Sequence, residues 1–463
     1  MFASDCLIKE VKVSTRMIYK KDWCGDQLDH YTDAALVSLD VLLVNRGKVP
    51  VKSDLRAVIT SCDDPQEKTV GTREIILSPG EHRYKLAVTV KNVRLWGTWD
   101  AGVPALYCLK LEYADAVWQR RTGMKETAYD SKTGVFTLNR ERIFLRGVEA
   151  QKQGTDPAAL KALGVNALYV SKDVCSEELL AQCDEQGLLV IGACPVTEAD
   201  LTPEKINELA QEAGAFAAAA AGHVSLGALA LDADLSVYQK ADPENARMAY
   251  CNVLFETLAG TDPARPVLFP GRGERRAAAV FSGEELIRLD PRSLKLPPVV
   301  THIGLPETAA EGSDFAGWEA EYLRIRKYDP VSAVFLREEG PARDGVFSPV
   351  LAAFEPGYFP GENGRTVSIE AGKSFTARIW AVNDLHERIP DVKLSWRITD
   401  TETGQVRAGN SFRLNLNPDS AEIPDQPILV TQKEDSGRKF CLSVCFETDE
   451  EVLSKNDLIV SVL

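Results

Sequence analysis

Between residues 1 and 127, apolar and polar positions alternate with a period of two, interrupted by turn residues. The segments ALVSLDVLLVNRG (35–47), SDLRAVITSC (53–62), YKLAVTVKN (84–92) and ALYCLKLEYA (105–114) each read as a strand with one face buried. Helical periodicity is nearly absent there, and short strands at this spacing predict an antiparallel β-sandwich.

The texture changes after about residue 150. TDPAALKALG carries Thr155 as a cap, Pro157 two residues on, and Leu160 and Leu163 on one face. NALYVS follows as a strand, SEELLAQCDEQG as a capped helix ending at Gly187, and LLVIGAC as a buried strand. LTPEKINELAQEAGAFAAAAAG predicts a helix with Thr202 as cap and Pro203 at its first position. Then come HVSLGALAL as a strand, ENARMAYCNVLFETLAG (244–260) as a helix, and RPVLFP and PPVVTHIG (297–304) as strands. WEAEYLRIRKY (318–328) reads as a helix and SAVFLRE (332–338) as a strand. Alternating helices and strands predict a parallel sheet wrapped by helices. From about 346 the period of two returns in KSFTARIWAVND, PDVKLSWRITDTETG, PILVTQ and KFCLSVCFET.

The expected architecture is a multidomain α+β chain. Residues 1–127 form an immunoglobulin-like β-sandwich, 128–345 a reduced TIM (β/α) barrel, and 346–463 a C-terminal immunoglobulin-like β-sandwich. The middle segment is short for an eight-stranded barrel, so a trimmed barrel or missing strands are both open.

Composition narrows the function classes. The chain has 463 residues, enough for two to four domains at roughly 100–200 residues each. Its formal net charge of −15 repels nucleic acid and anionic membrane, so neither is expected as a partner. MFASDCLIKEVKVS lacks a basic region followed by an apolar stretch, and AGAFAAAAAG (213–222) is too short to span a bilayer. Ten cysteines include no CxxC pair. Cys441 and Cys445 share a strand face about 13 Å apart at ~3.3 Å per residue, too far to bridge. They are expected as reduced thiols in a cytoplasmic protein.

KNVRLWGTWDAGVPALYCLKLEY followed by TGVFTLNRERIFLRGVEAQ resembles glycoside hydrolase family 2, the β-galactosidase, β-glucuronidase and β-mannosidase group. There a "LW…P.LY.L.V" strand closes an immunoglobulin-like domain and "G.F.LNG..I.L.GVN.H" opens the catalytic barrel. DPAALKALGVNALYVS, LLAQCDEQGLLVIG, PVLAAFEP (349–356) and IWAVND (379–384) continue the match in order. The family normally begins with a sugar-binding jelly roll, whereas this sequence is read as starting at the immunoglobulin-like domain; docking with a separate chain that supplies a jelly roll is one expectation.

What the resemblance implies for the site is loss. The acid/base motif H-P-S-V-x-x-W-S-L-G-N-E aligns with His223, Ser225 and Leu231, but its Asn falls on Ala233 and its Glu on Asp234. The nucleophile Glu of P-I-I-I-T-E-Y-G falls on His302. The Arg and His of "NAVRTSH" become Tyr169 and Lys172, and the Asn and His of "GVNRH" become Glu149 and Gln151. The scaffold residues Gly147, Lys161, Gly164, Asn166, Asp184 and Gly187 persist. Retaining hydrolysis needs two carboxyl groups about 5–5.5 Å apart, and imidazole cannot replace one of them.

The leading expectation is a family 2-like protein of carbohydrate metabolism without catalytic activity, with a binding or assembly role. The alternatives are an active O-glycosyl hydrolase with a site rebuilt around Asp234, and a purely structural subunit. Glu149, Asp232, Asp234 and His302 stand at expected C-terminal strand ends, where they can converge as a hydrolytic or metal site. The plainer reading is a polar, solvated barrel mouth, with no metal and no cofactor. Trp96, Trp99, Tyr107 and Trp118, and likewise Trp380 and Trp396, are expected as packing residues rather than a sugar platform. Carbohydrate, another protein chain and a second copy of this chain remain as partners.

Overall fold

The computed structural model describes residues 5–24, 27–130, 133, 135–150, 152–197, 200–233, 246–268, 279–282, 298–303, 321, 324–325, 332–337, 345–356 and 366–463. The N-terminal unit is two antiparallel sheets. One orders β1 (Cys6–Cys24), β2 (Gln27–Asn45) and β5 (Gly80–Lys91). The other runs β4 (Lys68–Leu77), β3 (Val51–Ser61), β6 (Tyr107–Tyr113) and β7 (Ala116–Thr122). Every second residue points inward, so Val37, Leu39 and Val41 of β2 close on Leu55, Ala57 and Ile59 of β3 and Leu109 and Leu111 of β6. All four segments read as strands in this region fall on strands.

A small antiparallel sheet follows, with β8 (Thr127–Asp130), β9 (Val135–Leu138) and β10 (Glu141–Arg142). Its Phe136 and Leu138 share a core with Leu145, Leu189, Ala228 and Phe335, so it closes the N-terminal end of the central sheet.

That central sheet has eight parallel strands: β11 (Leu145–Ala150), β12 (Ala167–Ser171), β13 (Leu189–Val196), β14 (Leu226–Ala233), β15 (Val267–Leu268), β16 (Ala279–Ser282), β17 (Pro298–Ile303) and β18 (Ala333–Arg337). Their order is β15-β14-β13-β12-β11-β18-β17-β16. The first strand thus pairs with the eighth, the circular order of a barrel, while β15 and β16 do not pair among the described residues. Eight strands are present among the described residues, so the open alternative of missing strands is not met in strand count.

Helices α1 (Pro157–Ala162), α2 (Glu177–Gln186), α3 (Ile206–Ala220) and α4 (Ala246–Thr261) connect the early strands. One sheet face, with Leu168, Val170, Val190, Leu229 and Leu231, packs on the helices. The other, with Tyr169, Ile191, Ala228, Ala230 and Phe335, lines the interior.

Two helix starts differ from expectation. Asp156, not Thr155, caps α1, its Oδ1 accepting from the Ala158 and Ala159 amides at 3.0 and 3.3 Å. Asp156 stands immediately before the Pro157 that opens the helix, where its short carboxylate reaches the orphan amides. Thr202 caps only a turn, and α3 begins at Ile206 without a side-chain cap. The α2 boundaries are as read: Ser176 Oγ accepts from the Leu179 amide at 3.1 Å, and Gly187 ends the helix at φ 73°.

The C-terminal unit stacks β19 (Val350–Pro356), β21 (Ser374–Asn383), β24 (Ser420–Asp425) and β25 (Ile428–Val430) on a second sheet. The latter orders β20 (Thr366–Ile369), β27 (Val452–Val462), β26 (Lys439–Glu447), β22 (Ile389–Asp400) and β23 (Val406–Leu416). Phe375 and Ile379 meet Leu394, Phe440, Leu442 and Phe446 in its core. Cys441 and Cys445 lie on the face of β26 opposite that core, and the described cysteines are free thiols. Among the described residues no helix is long and apolar enough to cross a membrane.

Candidate active site

Parallel pairing sets which side chains share a level in the central sheet. Glu149 of β11 stands in register with Tyr169 of β12, and Tyr169 with Ile191 of β13. Asp232, near the end of β14, pairs with Pro195. The Tyr169 ring is 1 % exposed and meets the Phe335 ring edge-on at 5.7 Å between centroids. Phe335 in turn lies over Gly147, where any Cβ would stand 2.2 Å from its ring. Gly147 is therefore required by packing, which accounts for its persistence in the motif.

The Tyr169 hydroxyl is buried and feels the charges of two carboxylates, Asp232 and Glu149. Burial raises its pKa well above that of an ordinary phenol, and Asp232 and Glu149 add to the rise. A phenol so held stays neutral and serves as a hydrogen-bond donor to carboxylate. The fold thus brings together Glu149, Tyr169 and Asp232.

Lys172, which stands at a family site position, does not join them. Its backbone amide bonds Ala193 O at 2.7 Å, and its Nζ pairs with Glu212 on α3 at 2.5 Å, in the outer helical layer. The pairing raises the lysine pKa. Ala233 is the last residue of β14. Asp234 and Gln151 lie outside the described residues. His302 lies on β17, its backbone in register with Ser282 and Phe335. That is the level of Gly147, two residues below Glu149. Among the described residues no three His, Cys, Asp or Glu side chains are grouped to hold a metal ion.

The retained part of the acid/base motif is structural. His223 Nδ1 meets Asp184 Oδ2 at 2.8 Å, and the Ser225 amide donates to Asp184 Oδ1 at 2.6 Å. Both precede β14, at the end opposite Asp232. The aromatic residues pack as expected: Trp96 is fully buried and donates its indole N–H to Asp184 O at 2.9 Å, while Trp380 and Trp396 donate to Glu355 and Asp425.

No family model and no curated protein matches the sequence. Solved structures do. The chain is similar to a β-D-mannosidase from Dictyoglomus thermophilum, with a TM-score of 0.69 and 14% identity over 98% of this chain and 66% of that one. It is similar to a putative β-galactosidase from Bacteroides fragilis, with a TM-score of 0.61 and 15% identity over 99% of this chain and 75% of that one. A glycosyl hydrolase family 2 member from Bacteroides cellulosilyticus aligns with a TM-score of 0.59 and 14% identity, over 98% and 64% respectively. The chain spans about two thirds of the length of the mannosidase and of the family 2 member. At these identities the likeness is one of fold: this chain has the fold of glycoside hydrolase family 2.

Proposed function

We propose that this chain is a family 2-like protein of carbohydrate metabolism that does not carry out retaining hydrolysis and acts in binding or assembly. In this reading its units are an immunoglobulin-like sandwich at 1–127, a barrel at 128–345 and a second sandwich at 346–463. The observation that carries the reading is Tyr169, buried between Glu149 and Asp232 where the family motif has an arginine. A packed phenol fills space that a sugar-binding guanidinium would line, and a neutral donor cannot replace a cation. His302 at the nucleophile position supports the same conclusion, since double displacement needs a carboxylate there.

A panel of aryl β-glycosides tests it. The expected result is no turnover above buffer on any sugar, with carbohydrate retention or a partner chain found by glycan array and light scattering. Turnover on one glycoside, abolished by Asp234→Ala or Asp232→Asn, would overturn it. The second reading, a hydrolase rebuilt around Asp234, draws on one observation: the charges of Glu149 and Asp232 both act on the Tyr169 phenol.

A further inference from the structure

At the opposite end of the central sheet, a cavity of about 660 Å³ lies between the outer face of β1, β2 and β5 and the ends of α3 and α4. That is within the usual range for small-molecule pockets, about 300–1,000 Å³. Its charges are unevenly compensated. Asp262 is taken up by Arg265, and Asp40 and Glu10 by Arg83 outside the cavity. Lys85 and Arg120 line it with no side-chain acceptor among the described residues. Lys125, 9 % exposed, spends one N–H donor on Leu226 O at 2.8 Å.

The seat of Arg120 is built into the backbone. Its guanidinium lies against Gly222, where a Cβ would come within 1.9 Å of Nη1. The neighbouring carbonyls of Ala221 and His223 are already bonded by Arg265, so they do not compete for Arg120. In a chain of net charge −15, a cavity with surplus guanidinium and amine donors is matched to one ligand charge. We propose that this cleft binds a small organic anion, a phosphate monoester or carboxylate, held by Arg120 and Lys125. Guanidinium and ammonium groups make their strongest hydrogen bonds to these oxygens.

Calorimetric titration of the full chain with inorganic phosphate, a hexose phosphate and citrate tests the site. Saturable binding of at least one organic probe is expected, weakening with salt. Arg120→Met should lower the affinity about tenfold, the loss of one charge-assisted contact. Gly222→Ala should do the same with the charge intact, by displacing the guanidinium. Lys125 is surrounded by Arg265, Asp262 and Asp184, and burial lowers its pKa. An anion beside it favours the ammonium, so at a pH where the free site holds the neutral amine, binding should take up a proton. The measured enthalpy should then vary with the ionisation heat of the buffer, and cease to vary in Lys125→Met. Heats no larger than dilution for all three probes, or parent affinity in Arg120→Met, would overturn the proposal.

Discussion

Arg146 and Asp384, 238 positions apart in the chain, meet at 3.2 Å with both side chains almost wholly buried. Arg146 belongs to the first strand of the central sheet, and Asp384 follows β21 of the C-terminal unit. The same guanidinium reaches Asp100, in the loop that follows Trp96, at 2.5 Å and Phe347 O at 2.9 Å. Arg324 completes the cluster, donating to Asp384 at 2.7 Å and to the Val346 and Ser348 carbonyls. Two guanidiniums and two carboxylates, all buried, thus hold three parts of the chain at one point.

Because Asp384 separates two buried cations, its removal is the damaging change. Asp384→Leu should cost about 3–5 kcal/mol, the usual effect of breaking a buried pair. Adding Arg324→Met should recover part of that loss, because it removes one of the stranded charges. Urea midpoints of the parent, single and double variants measure both steps. A single-variant cost no greater than that of a surface ion pair would mean the cluster does not hold the units together.

Lys125 offers a prediction about pH. Burial lowers its folded pKa, while the unfolded side chain titrates near 10.4. Between those values the unfolded chain binds more protons, so this group makes the parent more stable as pH rises. Lys125→Met lacks the effect. Leu226 O keeps its bond from Arg265 Nε at 2.7 Å, so no carbonyl is orphaned. The stability of the variant relative to the parent should therefore fall with rising pH, by about 1.4 kcal/mol per unit inside that window. A pH-independent difference would show that the lysine is charged in both states.

Much of this fold is legible in local pattern. The period of two marked β2, β3, β5 and β6, and Ser176 and Gly187 bounded α2, because caps and alternation act within a few residues. The site was legible only in part. Template spacing picked out Glu149 and Tyr169, and the strand-end position picked out Asp232, but their meeting depends on the register of β11, β12 and β14. The pairing of Lys172 with Glu212 was not legible, because Glu212 lies 40 residues away on a helix whose packing no motif encodes. The Arg146 cluster and the buried Lys125 were invisible for the same reason: each is an ordinary charged residue until distant segments enclose it.

Tyr169 bears on alkaline stability. Its folded pKa lies above the value of about 10 expected unfolded, so its contribution is complete below pH ~10 and is lost as pH rises further. Tyr169→Phe removes a donor from Asp232, which should cost about 1–3 kcal/mol at neutral pH. Above pH ~10 the gap between parent and variant should narrow, because only the parent carries the penalty of holding a phenol un-ionised. Denaturation midpoints on either side of that pH decide it. A constant gap would mean the hydroxyl reaches solvent.

Gly187 joins the first unit to the central sheet through its backbone. Its amide bonds Cys183 O and its carbonyl accepts from the Trp99 amide, each at 3.0 Å. A Cβ there would stand 2.8 Å from the Trp99 nitrogen, and the residue also sits at φ 73°. Gly154 makes a matched control, since its φ is 95° and nothing lies within 4 Å of its Cβ position. Gly154→Ala should cost about 1 kcal/mol, the conformational penalty alone. Gly187→Ala should cost about 2–4 kcal/mol, because the Trp99 loop must also shift. That loop is further tied down by the Trp99 indole, which donates to Val165 O at 2.7 Å, so it has little room to yield. Equal costs for the two substitutions would show that the loop yields freely and that Gly187 serves only as a helix terminator.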